Sequence, residues 1–435
     1  MTTIHRLVII VAAGVILAHA VQGQEAPLPS TLGVTEAVEL AQERNPRIQE
    51  LRSTVAAKSN ERWLHLGIHA PRITYFREGI PTVAAGGFAE QRWAASQSIA
   101  FPLKSYYDYR RTGTELEAMD VNLDAARAGL KAAVKTAYTD VLYAQELMHL
   151  RDQELTLADR LVAAAQVRVE VGEASELEQM KADLEHAEAQ SRRRDAQREL
   201  EAARYRLFRE IGIDPEDQTY QMVFPDTLVD VEIHITQEEV MARVSRLPEV
   251  LAADLFVEAA EMERASARVS ILPDVIVDVY RQDYGTGYDR YGVQVGLQLP
   301  LWLFGEYRGR VRQADAEERA ASWRRESVEL DLKEQAELAW HGYVASRTTM
   351  ERFRTSVQER ADELLRLTLV GYQLGELDLV TLLDTQRTYL AGQERFYDAL
   401  RDYYKQLIVL ERILGDEFVY VGDSETATST ERNIE

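Results

Sequence analysis

Cysteine is absent from all 435 residues. Its absence excludes disulfides, thiolate metal centres, a cysteine nucleophile and a lipid-modified N-terminal cysteine. Proline is scarce: none of the eleven lies between Pro102 and Pro215, and none follows Pro300. A proline inside a helix costs ~3 kcal/mol, so both stretches are free to form very long helices. Long apolar runs are missing too. The run Leu7 to Leu17 falls short of the ~20 residues that span a bilayer. His5 and Arg6 precede it and Ala18-His19-Ala20 follows, the pattern of a cleaved export signal. Residues 1–20 are therefore read as a signal peptide, with cleavage after Gly23 as the alternative. Basic charge is in deficit, 50 Lys+Arg against 72 Asp+Glu for a net charge of −22. Only short basic runs occur, such as Arg192-Arg193-Arg194, flanked by Glu188, Asp195 and Glu199. A solvated helix face is expected there, and no nucleic-acid partner. Neither a nucleophile elbow nor a phosphate loop occurs; the chain is read as no enzyme and as needing no cofactor.

What is present is said twice. Asn45-Pro46 corresponds to Leu247-Pro248, and Ala70-Pro71 to Leu272-Pro273, both at an offset of 202 residues. Phe101-Pro102-Leu103 corresponds to Leu299-Pro300-Leu301 at 198. Val171-Gly172-Glu173 corresponds to Leu374-Gly375-Glu376, and LFREIG (207–212) to LERILG (410–415), at 203. Landmarks kept in order at a nearly constant offset indicate a tandem duplication. The expected organisation is a signal peptide 1–20, a first structural repeat 21–212, a linker 213–235, a second repeat 236–415 and a flexible tail 416–435.

Each repeat is expected to open with a helix, 34–69 or 236–271, with Thr35 and Thr236 as N-caps. Two strands follow, 72–79 with 90–103 and 274–283 with 290–301. Long helical stretches then run over 104–171 and 302–374 before each glycine break. At 1.5 Å per residue such a stretch reaches on the order of 100 Å. Val293, Val295, Leu297 and Leu299 alternate with Gln294, Gly296 and Gln298. That period of two suits a barrel strand between lipid and water, and equally a half-buried strand of a soluble protein. Tyr106, Tyr107, Tyr109, Trp302 and Phe304 stand where an interfacial girdle would lie. Four strands cannot close a barrel, so copies of the chain must combine. The series Leu383, Gln386, Leu390, Gln393, Tyr397, Leu400, Tyr404, Leu407 keeps the 3.5-residue rhythm of a coiled coil, placing Gln386 and Gln393 in its seam.

The duplicated halves, paired strands, proline–leucine strand ends, V-G and L-G breaks and the segment LVTLLDTQ (379–386) together resemble the TolC-like outer-membrane efflux family. The resemblance covers nearly the whole mature chain. It implies a mainly α fold with a small β part: a duplicated long-helix coiled-coil barrel plus four transmembrane β-strands per chain, completing a barrel in a homotrimer. It implies an outer-membrane channel with a long periplasmic extension in a Gram-negative-type cell. Such a channel is a passive exit duct of a multipart efflux or type I secretion system. Its partners would be a periplasmic adaptor protein and an inner-membrane pump that open it at its periplasmic tip. By match to the family, Asp384 falls at an acidic gate position, Tyr372 at a tip tyrosine, and Thr381 where a second aspartate is found. Gly172, Glu173, Gly375, Glu376, Leu377 and Asp378 form the expected docking tip, with Glu178 beside it.

Glu61, His65 and His69 are spaced by four and would stack on one helix face. One helix supplies too few ligands to close a metal site, so a structural or solvated role is expected. A periplasmic coiled-coil scaffold or adaptor without a pore is the rival reading, against which the strand pairs argue.

Overall fold

The computed structural model describes residues 30–65, 67–79, 88–214, 222–229, 231, 233–284, 289–299, 303–356 and 358–420. The expected signal peptide (1–20), part of the linker, Trp302 and residues 421–435 lie outside them.

The first repeat runs α1 (Val34–Arg44), α2 (Pro46–Glu61), a 3-10 turn (Arg62–His65), β1 (Arg72–Glu78), β2 (Glu90–Ile99), α3 (Pro102–Glu170) and α4 (Glu176–Ile211). The second runs α5 (Gln237–Val244), α6 (Pro248–Val269), β3 (Asp274–Asp283), β4 (Asp289–Gln298), α7 (Leu303–Ser356), α8 (Gln358–Gln373) and α9 (Leu379–Leu414). The opening helices are divided where one continuous helix was expected. Pro46 and Pro248 cannot donate into a preceding helix, so each instead opens a new one at its first position. Asn45 sits at that joint: its side chain accepts from Arg47 N (2.9 Å) and donates to Glu210 O (2.7 Å). Thr236 caps α5 in a reciprocal box with Glu239, whereas α1 is capped at Gly33, not Thr35, with Glu36 reaching back to the Gly33 N–H. Strand β2 ends at Ile99 rather than 103, because Pro102 starts the 69-residue α3. The second long stretch is two helices, α7 and α8, instead of one.

The repeats close with the same local chemistry. Each terminal helix ends on a left-handed glycine, Gly212 (φ 85°) and Gly415 (φ 81°), the conformation only glycine adopts without penalty. Their surroundings differ. A Cβ on Gly212 would lie 2.9 Å from the Arg44 carbonyl oxygen, whereas nothing lies within 4 Å of one on Gly415. Gly212→Ala is therefore expected to destabilise by about 2–4 kcal/mol, left-handed strain plus overpacking. Gly415→Ala is expected to cost about 1–2 kcal/mol. Thermal unfolding of the two variants checks the difference, and equal losses would refute it.

The four strands form one antiparallel sheet in the order β1-β2-β3-β4. Cross-strand partners share a face, so the register sorts the side chains into two sides. One carries Tyr75–Trp93–Arg281–Tyr291, Ile73–Ala95–Val279–Val293, Gln97–Val277–Val295 and Ile99–Val275–Leu297. The other carries Arg72–Ser96–Asp278–Gln294, Thr74–Ala94–Tyr280–Gly292 and Asp274–Gln298. The apolar side is exposed, at Ile73, Trp93, Val279, Val293, Val295 and Leu297, and on the edge strands β1 and β4 the other side is exposed as well, at Arg72, Phe76, Gln294 and Gln298. Both β1 and β4 are edges within the protomer.

Two matching cores sit below the sheet. One packs α1, mid-α3 and the end of α4 around Tyr138, Val141, Leu207 and Phe224. The other packs α5, mid-α7 and the end of α9 around Val240, Ala336, Tyr403 and Leu407. The segment expected as a plain linker is strapped to these cores by tyrosines. Tyr403 donates to Val231 O (2.5 Å), Tyr404 to Val229 O (2.8 Å) and Tyr343 to Ile233 O (3.2 Å). The expected flexible tail is also corrected at its start. Val419 is fully buried and Tyr420 packs edge-on to Tyr138, because these residues complete the core between α3 and α9. Glu411 accepts from the Phe418 and Val419 N–H groups, and Lys135 pairs with Glu411 at 2.9 Å.

Candidate functional site

The end of the bundle opposite the sheet is made by two helical hairpins that turn through the same hydrogen bonds. Helix α3 breaks at Gly172 (φ 78°), where Glu173 N and Ala174 N both donate to Arg168 O. Helix α8 breaks at Gly375 (φ 78°), where Glu376 N and Leu377 N both donate to Gly371 O. A positive φ is needed to close either turn, and glycine supplies it without strain. Asp378 then caps α9, accepting from Thr381 N at 2.8 Å. Hydrogen bonds from Thr381, side chain first and backbone second, hold its carboxyl below the usual aspartate range.

The expected tip residues fall on these turns. Gly172, Glu173, Gly375, Glu376, Leu377 and Asp378 are exposed, and Glu178 is half-buried on the first turn of α4. Thr381 and Asp384 lie one helical turn apart on the exposed side of α9, while Leu379, Leu382, Gln386 and Leu390 are buried on the other. Tyr372 is not at the surface. It is 0% exposed in a small core with Leu161, Ala165, Ala182, Leu379 and Leu382. The Arg168 guanidinium lies over its ring at 4.8 Å. Burial pushes the phenol up, with the Arg168 charge working the other way. Tyr372 thus joins the second hairpin to the first.

Further up, charged side chains make the same connection. Glu154 of α3 and Glu185 of α4 are both buried and share Arg192 at 2.7 Å each. Glu185 also meets Arg387 of α9 at 2.9 Å, and Arg151 of α3 meets Glu394 of α9 at 2.9 Å. Buried carboxylates persist only when paired in this way. Sequence reasoning missed Arg168, Glu185 and Arg387, because the contacts that link them across the hairpins, Arg168–Tyr372 and Glu185–Arg387, join different helices and no local spacing marks them. Gln386 and Gln393 are buried, as the seam periodicity implied. Gln386 is 2% exposed, and neither end of its amide has a partner among the described residues.

The Glu61, His65 and His69 set does not assemble. Glu61 pairs with Lys58 at 3.0 Å and approaches His65 at 3.6 Å. The helix ends before His69, which instead follows the left-handed turn at Gly67 (φ 75°), with its N–H donated to Ser98 O. Among the described residues no three metal-ligating side chains cluster, and no helix is long and apolar enough to cross a membrane.

Residues 243–416 match the family model of the outer membrane efflux protein. The chain is 25% identical over 309 residues to the cobalt-zinc-cadmium resistance protein CzcC of Cupriavidus metallidurans, covering 69% of this chain and 71% of that one. It is 23% identical over 417 residues to the outer membrane efflux protein BepC of Brucella suis, covering 90% and 87%. Its fold matches the outer-membrane channel OprN with a TM-score of 0.75 at 19% identity, over 88% of this chain and 90% of that one.

Proposed function

We propose that the chain is a member of the outer membrane efflux protein family, which the match over residues 243–416 and the two relatives support, and that it forms a trimeric exit duct gated at its helical tip. It is an outer-membrane channel component of an efflux system, with the strands in the membrane and the helices extending into the periplasm. The observation that carries the duct is the two-faced sheet. A mainly apolar side, interrupted by Gln97 and Arg281, and two free edges make four strands stable in lipid only if other copies complete the barrel. Three copies of a four-stranded sheet give a closed barrel continued by the long helices as a tunnel. An adaptor protein recruited by an inner-membrane pump engages the exposed turns at Gly172–Glu173 and Gly375–Asp378 and releases the contact at Tyr372. Asp384, repeated by symmetry, forms an acidic ring at the constriction, with Thr381 beside it.

Separating inner from outer membranes, then comparing unheated and heated samples on denaturing gels, tests the architecture. An outer-membrane trimer that heat dissociates is the expected result. A soluble periplasmic monomer or dimer would remove the shared barrel and leave a coiled-coil scaffold. Planar-bilayer recording tests the ring: Asp384→Asn is expected to weaken cation preference and block by divalent ions without altering trimer stability. The name of the C. metallidurans relative, a cobalt-zinc-cadmium resistance protein, makes those three ions the first cargo to try.

A further inference from the structure

The most exposed large apolar side chains among the described residues are Tyr291, Leu64 (78%), Trp63 (72%) and Ile73. Tyr291 and Ile73 belong to the apolar side of the sheet. Leu64 and Trp63 do not; they stand on the 3-10 turn that joins α2 to β1. The turn is held in place. Arg62 stacks on the Tyr109 ring at 4.2 Å, and His65 turns back toward Glu61. The two apolar residues between them are left facing away.

Beyond Gly67 the chain is fastened to the end of the sheet. Ala100 N donates to Gly67 O at 2.9 Å, and Ile68 bridges to Ile99. Ile68, itself 67% exposed, therefore continues the row Ile99–Val275–Leu297 across the end of the apolar face. A Cβ on Gly67 would collide with the Ser105 side chain, so the turn lies tight against the first turns of α3, which expose Leu103 and Tyr106. An exposed cation accompanies it, Arg110 one turn along α3 from Tyr106.

We propose that Trp63, Leu64 and Ile68 form a foot inserted into the periplasmic leaflet of the outer membrane, with phospholipid as its occupant. This rests on the outer-membrane channel reading above. The ends of the strands that join the helices are the periplasmic ends, and the foot extends the lipid-facing surface there without interruption. Trp63 and Leu64 supply the amphipathic and apolar groups of an interfacial anchor, and Arg110 supplies a phosphate partner. In a chain without cysteine, such a foot provides a grip on that leaflet that requires no attached lipid.

The test is tryptophan quenching by phospholipids brominated near the headgroup, with the full-length trimer reconstituted in phosphatidylethanolamine–phosphatidylglycerol vesicles. Wild type, Trp63→Phe and Trp93→Phe are compared, the last removing a tryptophan from the apolar side of the sheet. The expected result is a quenched component in the wild type that is reduced in both variants. Quenching that Trp93→Phe reduces and Trp63→Phe leaves unchanged would overturn the foot alone, with a neighbouring subunit covering Trp63. An absence of quenching in all three proteins would overturn the membrane barrel and the foot together. Both replacements keep an aromatic ring, and the heat-dissociable trimer confirms that each variant is assembled.

Discussion

Lys135→Met is expected to destabilise the protein by about 3–5 kcal/mol, the cost of leaving one member of a buried ion pair without its partner. Lys135 is 3% exposed and Glu411 7%. The ammonium lies 2.9 Å from Glu411 and 3.2 Å from the Val419 carbonyl. The carboxylate is also the acceptor for the Phe418 and Val419 N–H groups. This small network fastens the segment 415–420 between the two repeats, so its loss is felt in both halves. Removing Lys135 strands a buried charge, a far larger effect than losing an exposed pair such as Arg198–Asp195, for which a fraction of a kcal/mol is usual. The readout is the thermal midpoint at which the proposed trimer dissociates, with far-UV circular dichroism following the helices. Adding Glu411→Leu to Lys135→Met removes the stranded charge but leaves two backbone donors unpaired, so recovery should be partial. A single variant that melts with the wild type would show that the pair does not hold the segment.

That network also shows where sequence reading stops. The doubled landmarks were legible because each is a local instruction. Pro46 and Pro248 restart a helix wherever they stand, and Gly172, Gly212, Gly375 and Gly415 mark turns at which φ becomes positive. The alternation of Val293, Val295 and Leu297 was legible for the same reason, since a strand's two faces are written in a period of two. Lys135 and Glu411 are 276 residues apart, and Glu185 and Arg387 are 202 apart. No spacing on either helix marks such a pair; it exists only once the repeats are docked. The start of the tail was misjudged likewise. Asp416 and Glu417 look solvated in sequence, yet Val419 and Tyr420 are drawn inward by a core whose other members lie near residues 138 and 404. The family match assigned Tyr372 to the tip, but its burial was not legible. An aromatic on a polar helix end can point either way until its neighbours are placed.

Its buried position makes Tyr372 the residue whose loss should change conduction most. Tyr372→Ala deletes an aromatic ring packed against Leu161, Ala165, Ala182, Leu379 and Leu382 and removes the surface on which Arg168 rests. Truncating a buried aromatic typically costs about 3–5 kcal/mol, and here much of that energy ties the α8–α9 hairpin to the α3–α4 hairpin. Taking ~3 kcal/mol as the share lost from the closed arrangement, the ratio of closed to open tips falls by roughly a hundredfold. In planar bilayers the variant should therefore show larger and more frequent openings without any adaptor present, and cells carrying it should become permeable to large antibiotics. Tyr372→Phe keeps the ring, the packing and the Arg168 contact, and should conduct nearly as the wild type does. Arg387→Ser cuts the tie to Glu185 from an exposed position, and Arg192 still pairs with that carboxylate; its effect should be several times smaller than that of Tyr372→Ala. A Tyr372→Ala trimer that is intact by heat dissociation yet conducts like the wild type would show that the tip is held shut elsewhere. The acidic ring proposed at Asp384 would then be the next position to examine.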